Sequence, residues 1–199
     1  MEFTIESFLP ATLTARPMTD EEFAELCSEH PDLLFEMTAE GEIIVMAPNF
    51  TLTGFRNSKI DRQLAAWAEQ DRRGIVGDSS TGYVLPNGAR RSPDASWVAK
   101  DRIRQMDNKS LHGFWHMCPA FVIELKSESD RLRTLRNKMQ EYIENGAELG
   151  WLIDPEKRSV EIYRPNAEPQ LLTAIDSVQG DGPVAGFVLN LLPVWDPLQ

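Results

Sequence analysis

Cysteine and histidine are scarce in this 199-residue chain, with two of the first and three of the second. Two cysteines, Cys27 and Cys118, cannot build the bridged framework of a small secreted domain; a single disulfide is the most they allow. His112 and His116 lie four residues apart with Cys118 nearby, a grouping that lacks a fourth zinc ligand at a familiar spacing. No apolar run approaches the roughly 20 residues that span a bilayer. The opening MEFTIESFLP has no basic segment leading into an apolar stretch. The expectation is a cytoplasmic protein with reduced thiols and no membrane partner.

Other absences narrow the chemistry. No Gly/Ser linker, internal repeat or low-complexity tract divides the chain, so one domain over residues 1–199 is expected. Neither a G-x-S-x-G elbow nor a phosphate-cradling glycine loop is present, which leaves acyl-hydrolase and P-loop chemistry without support. Positive charge is also short: 20 Lys and Arg stand against 31 Asp and Glu, a net charge of −11. That balance alone argues against a nucleic-acid partner. Its distribution argues otherwise, because residues 1–50 carry −10, residues 51–138 carry +6 and residues 139–199 carry −7. A locally basic middle sits between acidic ends.

The rest of the sequence reads as alternating helices and strands built on 42% apolar residues. Thr19 or Asp20 caps an amphipathic helix from Met18 to His30. Two short strands follow within Phe35–Val45, joined at Ala39, Glu40 and Gly41. Ile60, Leu64, Trp67 and Ala68 recur on one face of a helix over Thr53–Gln70, with Arg56, Lys59 and Arg62 off it. Tyr83–Leu85 and Arg90–Val98 flank Pro86, Asn87 and Gly88 as a hairpin. Lys100–Pro119 has weak periodicity and reads as a loop or short helix over a cleft. Phe121–Lys126 is a strand, followed by a helix-starting segment at Ser127–Asp130 and a helix through Leu132, Leu135, Met139, Tyr142 and Ile143 that stops at Asn145 and Gly146. Leu149–Ile153 and Val160–Tyr163 are two more strands. The apolar run Phe187–Trp195 is core or a dimer contact, with core preferred.

One strand carries chemistry. Alternation over Phe121–Lys126 puts Val122, Glu124 and Lys126 on the face opposite Phe121, Ile123 and Leu125, with the two charged Cα atoms roughly 6.5 Å apart. An ion pair on the exposed face of an edge strand would look the same. Thirty residues earlier, Pro93-Asp94 at the end of the hairpin offers a second carboxylate. A hard divalent ion needs a few oxygens and keeps its waters, and Asp94, Glu124 and the carbonyl of Leu125 would supply them. Arg131, Arg133, Arg136 and Lys138 are four cations within eight residues, a phosphate-binding patch or a solvated helix face. Arg90 and Arg91 carry the same ambiguity.

Pro93-Asp94 with Glu124-Leu125-Lys126 resembles the PD-(D/E)XK motif of restriction-endonuclease-like nucleases. The text around it, at 35–48, 91–98 and 138–155, resembles the Uma-two family of endonucleases, over most of the chain from about 20 to 195. The resemblance implies an α/β fold with a mixed sheet flanked by helices, the restriction-endonuclease-like core. It implies Mg2+-dependent (or Mn2+-dependent) hydrolysis of DNA phosphodiesters by a homodimer. Asp94 and Glu124 would then be metal ligands and Lys126 would orient water or offset phosphate charge. Glu36 matches an acidic position at the end of the family's first strand. Gln140 and Lys138 lie on the helix where such nucleases place a polar residue toward the site, and only one of them need face inward. Many members carry a histidine near the start of the helix over 56–70, where this chain has Phe55-Arg56. The competing reading is a catalytically silent nuclease-fold module that binds nucleic acid or assembles with a partner; the chain's acidity favours it, the intact triad favours the enzyme.

Overall fold

The computed structural model describes residues 11–14, 18–46 and 50–199. The opening decapeptide, and Ala47 and Pro48 of the family-like stretch, lie outside the described residues. Two six-stranded sheets make up most of the architecture. The first holds β1 (Ala11–Thr14), β2 (Leu34–Met37), β3 (Glu42–Met46), β5 (Tyr83–Val84), β6 (Arg90–Arg91) and β8 (Trp115–His116), in the spatial order β1-β3-β2-β6-β5-β8. The second holds β4 (Gly74–Asp78), β7 (Ala95–Ala99), β9 (Phe121–Leu125), β10 (Leu149–Asp154), β11 (Ser159–Tyr163) and β12 (Gln170–Thr173), in the order β12-β11-β10-β9-β7-β4. A hairpin of β13 (Ser177–Gln179) and β14 (Val188–Asn190) stands apart. The helices are α1 (Asp20–Glu29), α2 (Thr51–Asp71), the single-turn α3 (Lys100–Ile103) and α4 (Asn108–Leu111), α5 (Leu132–Glu144) and α6 (Leu192–Trp195).

Helix α1 starts where a capping box puts it, with the Thr19 hydroxyl accepting from Glu22 N–H and the Glu22 carboxylate accepting from Thr19 N–H. α5 stops at Asn145, followed by Gly146 at φ +107°. Ser127–Asp130 does not start that helix. Ser127 N–H and Oγ both donate to Asp130 Oδ2, closing a polar turn, and the helix opens only at Leu132.

Strand β9 is parallel to β10 and antiparallel to β7, so it lies inside the second sheet and is buried at every position. Phe121, Ile123 and Leu125 join Ile60 and Leu64 of α2 in one core, whereas Val122 joins Met139 and Tyr142 of α5 in another. Glu124 therefore enters the α5 layer, in the direction that alternation dictates. Phe121 meets Trp151 edge-on at 4.9 Å, and Trp151 stacks on Phe187 at 5.7 Å. The C-terminal run is core here: Phe187, Leu189, Leu191, Val194 and Trp195 are all buried. Gly150 lets α5 lie close on β10, since a Cβ there would stand 2.5 Å from Met139 Cε.

The segment Arg90–Val98 does not form one strand. It breaks at Ser92, Pro93 and Asp94, leaving β6 in the first sheet and β7 in the second. Pro93 has no N–H to give a ladder, which is why pairing stops there. The break carries Asp94 to the seam between the sheets, beside the C-terminal end of β9. Lys100–Pro119 holds α3, α4 and β8, so it is more ordered than a bare loop.

Candidate active site

A cleft of about 460 Å3 opens at that seam, and Asp94, Glu124, Leu125 and Lys138 share its lining. Four elements supply the parts: the β6–β7 break, β9, and helices α2 and α5. Asp94 is anchored at both oxygens. Oδ1 accepts from Asn57 Nδ2 of α2 at 2.9 Å and Oδ2 from Leu125 N–H at 2.8 Å. Glu124 Oε1 accepts from Tyr142 OH at 3.0 Å and from Lys138 Nζ at 2.8 Å. Its Oε2 takes no hydrogen bond among the described residues.

Behind these groups lies a buried ion network. Lys138 Nζ also sits 2.8 Å from Glu36 Oε1, so one ammonium bridges two carboxylates from β2 and β9. Glu36 accepts further from Ser92 N–H at 2.9 Å and from Arg91 Nη1 at 3.1 Å. Arg91 in turn reaches Glu141 Oε2 at 2.6 Å. Both carboxylate oxygens of Glu36 face donors, which is what a nearly dry carboxylate needs.

The charge balance separates the acids. Burial pushes Glu124 up to about 8 against the pull of Lys138, and the negative charges of Asp94 and Glu36 add to the rise. Burial also raises Asp94, opposed by the Leu125 N–H and Lys138. Glu36 feels the same desolvation, yet Lys138 and Arg91 outweigh it and hold the carboxyl below its ordinary range. Lys138, which burial would discharge, is kept cationic by Glu124 and Glu36. Glu36 is thus a committed counter-ion, while Glu124 and Asp94 would, on ionising, carry negative charge that the protein does not fully neutralise. A hard divalent cation suits that surplus. Among the described residues no three His, Cys, Asp or Glu side chains converge as a ligand group, but an ion that keeps its waters needs only one or two carboxylates. Asp94 and Glu124, flanking the Leu125 backbone, fit it.

Several residues singled out from sequence lie elsewhere. Lys126 does not share the cleft lining: its Nζ binds the Ser127 carbonyl at 3.0 Å and Glu156 Oε2 at 2.8 Å. Strand β9 ends at Leu125, so alternation no longer governs Lys126, and the turn after β10 offers it an acid. Gln140 is exposed and donates to Glu144 Oε1, one helical turn on. It points away because Lys138, two residues earlier, takes the inward face. Arg136 is held by Glu161, and Arg91 is buried between Glu36 and Glu141, so neither offers a free charge to a phosphate backbone. Lys138 belongs to the cleft and not to an outer basic face. Arg131 and Arg133 are exposed. His116 Nε2 pairs with Asp20 and the Cys118 thiol donates to the Tyr142 carbonyl, so they do not face a common ion.

Sequence reasoning missed Asn57 and Tyr142 as site residues. The spacing Lys138-x-x-x-Tyr142 puts both on one face of α5, a signal available before folding. Asn57 gave none, since a polar residue in the first turns of a helix is unremarkable.

The architecture is similar to that of a solved structure described as a putative nuclease belonging to DUF820 from Anabaena variabilis. The TM-score is 0.73 at 20% identity, covering 90% of this chain and 98% of that one. At that identity the likeness speaks to fold alone. No curated protein matches the chain. The profile of the Uma2 family, described as "Putative restriction endonuclease", matches residues 20–192. Spanning the acids, the bridging lysine and all of the second sheet, that match makes this chain a member of the Uma2 family.

Proposed function

We propose that this chain is a metal-dependent endonuclease that hydrolyses phosphodiester bonds of DNA. Asp94 and Glu124, with the Leu125 carbonyl, would hold Mg2+ or Mn2+, and Lys138 acts as the cation beside the scissile phosphate. The observation that supports this most is the lining of one cleft by the carboxylates of Asp94 and Glu124 and the buried ammonium of Lys138, held between Glu124 and Glu36. When bound, a hard divalent ion supplies Lewis-acid activation of water and of the phosphoryl group. The chain's own residues do the rest. Lys138 offsets charge that develops on the phosphate, and Glu36 holds its Nζ in place as a positioning residue. Tyr142 fixes Glu124 through Oε1 and leaves Oε2 for the ligand. Asn57 and the Leu125 N–H orient Asp94. Exposed Arg131 and Arg133 contact the backbone of the DNA partner. A homodimer in the cytoplasm completes the proposal; among the described residues no helix is long and apolar enough to cross a membrane.

A second reading, a silent nucleic-acid-binding module, is favoured by one observation: the lysine of the sequence motif, Lys126, is turned to Glu156. One experiment decides. Purified protein is incubated with supercoiled, linear and single-stranded DNA under Mg2+, Mn2+ or EDTA. Cleavage is expected only with metal, and Glu124→Gln and Lys138→Met should each lower it by about 10²–10³-fold, the usual cost of losing one transition-state contact. Lys126→Met should retain most activity. Intact DNA in every arm would favour the silent module, and loss with Lys126→Met alone would return the role to Lys126.

A further inference from the structure

The acids share the cleft with aromatic and aliphatic side chains, Phe35, Phe50, Phe114, Leu34 and Met46 among its lining. Phe50 is 66% exposed and Leu34 38%, so the Phe50 ring and the Leu34 side chain are open to solvent. Deeper in, Arg90 is 6% exposed and also lines the cleft. Its Nη2 donates to the Met18 carbonyl at 3.0 Å and to Asp20 at 2.6 Å. Its Nε–H is buried with no partner. The guanidinium lies 5.2 Å from the centre of the Phe23 ring, which in turn packs 5.7 Å from Phe114.

We infer that the aromatic lining of the cleft takes the base of an unpaired nucleotide, so that the DNA strand cut is one whose base lies outside the double helix at the cleavage position. The inference rests on the nuclease reading of the acids in the same cleft and names its substrate class. A base is flat, apolar on its faces and rich in acceptors at its edge. Its flat apolar faces match the aromatic rings that line the cleft. The volume of about 460 Å3 is that of a small-molecule pocket, within the roughly 300–1,000 Å3 such sites span, and admits no duplex. A paired, stacked base reaches such a pocket only by leaving the stack, at an unstacking cost that is smallest where it is already unpaired. Placement agrees. Phe50 precedes α2 and Asn57, which orients Asp94, lies seven residues further, roughly 10 Å along the helix axis. A base on Phe50 and a phosphate at Asp94 are one or two nucleotides apart.

The test uses three DNAs of one sequence: a single strand, a perfect duplex and a duplex with a one-nucleotide bulge carrying 2-aminopurine at the unpaired position. Binding is read with Ca2+ by fluorescence and cleavage with Mg2+ or Mn2+. The single strand and the bulge should bind at least tenfold more tightly than the duplex, and cleavage should map to the unpaired position. 2-Aminopurine emission should be quenched on binding. Phe50→Ala, which removes an exposed ring and leaves the core untouched, should weaken unpaired substrates by about tenfold and relieve the quench. Phe114→Leu should act in the same direction. Equal binding of all three DNAs, with Phe50→Ala without effect, overturns the base pocket even if plasmid is still cut, and the nuclease reading survives. Quenching that depends on Phe50 without cleavage under any metal does the reverse, supporting the pocket and removing the nuclease.

Discussion

Glu36 and Glu124 are the same residue type, both buried, and both contact one lysine; their neighbours send them opposite ways. Glu36 gains a second cation in Arg91 and settles below its ordinary range, whereas Glu124 faces Asp94 and Glu36 and rises to about 8. Removing the negative partner is therefore costly. Glu36→Gln leaves Lys138 and Arg91 short of charge in a dry site and should destabilise the fold by about 3–5 kcal/mol, read by urea denaturation. Asp61 on α2 is a different case. Burial, Asp78 and Asp94 push its carboxyl to about 7, and its Oδ1 is buried with no partner among the described residues. A carboxyl whose folded value lies above its unfolded value binds more protons when folded, so stability falls as pH rises between about 4 and 7. Asp61→Asn removes that loss. After allowance for its partial exposure the gain at pH 8 should be about 1–2 kcal/mol, or ~3–6 °C in Tm, and should fade towards pH 4.

Helix α5 brings Lys138 and Tyr142 to the site, and its distance from the sheet is set by a side chain that is absent. Gly150→Ala would drive Met139 outward and lift the helix, costing about 1–3 kcal/mol. Activity should fall with stability, through kcat more than KM, because Lys138 moves while the cleft mouth does not. Adding Met139→Ala should restore part of both, and a double-mutant cycle measures how much. Elements like this one were partly legible beforehand. Ile60, Leu64 and Ala68 marked the core face of α2, and Leu135, Met139 and Tyr142 that of α5, because a 3.6-residue repeat of apolar side chains is written locally. The break inside Arg90–Val98 was not read, although Pro93 was its signal. Pairing partners decide which sheet a strand joins, and these lie far away in sequence.

For the whole molecule, net charge and the cleft must be considered together. An overall charge of −11 repels DNA at long range, and two cations of the basic middle segment, Arg91 and Lys138, are consumed internally by Glu36, Glu124 and Glu141. Binding should accordingly show a shallow salt dependence. A plot of log K against log salt for a single strand should have a slope near −2, and Arg131→Ala or Arg133→Ala should each flatten it by about one unit. A steep slope, unaffected by either change, would place the phosphate contacts on another face.

From the sequence alone came the mixed α/β class, the alternation that turns Glu124 away from the α2 core, the pairing of Asp94 with Glu124 as the acids to watch, and membership of a nuclease-like family. These depend on local periodicity and on short motifs, both of which survive in a linear string. The folded chain alone decided that Lys138, not Lys126, stands between the carboxylates, that Arg91 is an internal partner and Arg136 is paired with Glu161, and that aromatic rings line the same cleft as the acids. Those outcomes depend on where β9 ends, on how closely α5 lies against Gly150 and on which acid is nearest to each cation. Such distances arise between residues tens of positions apart, and only the packing of the sheets and helices sets them.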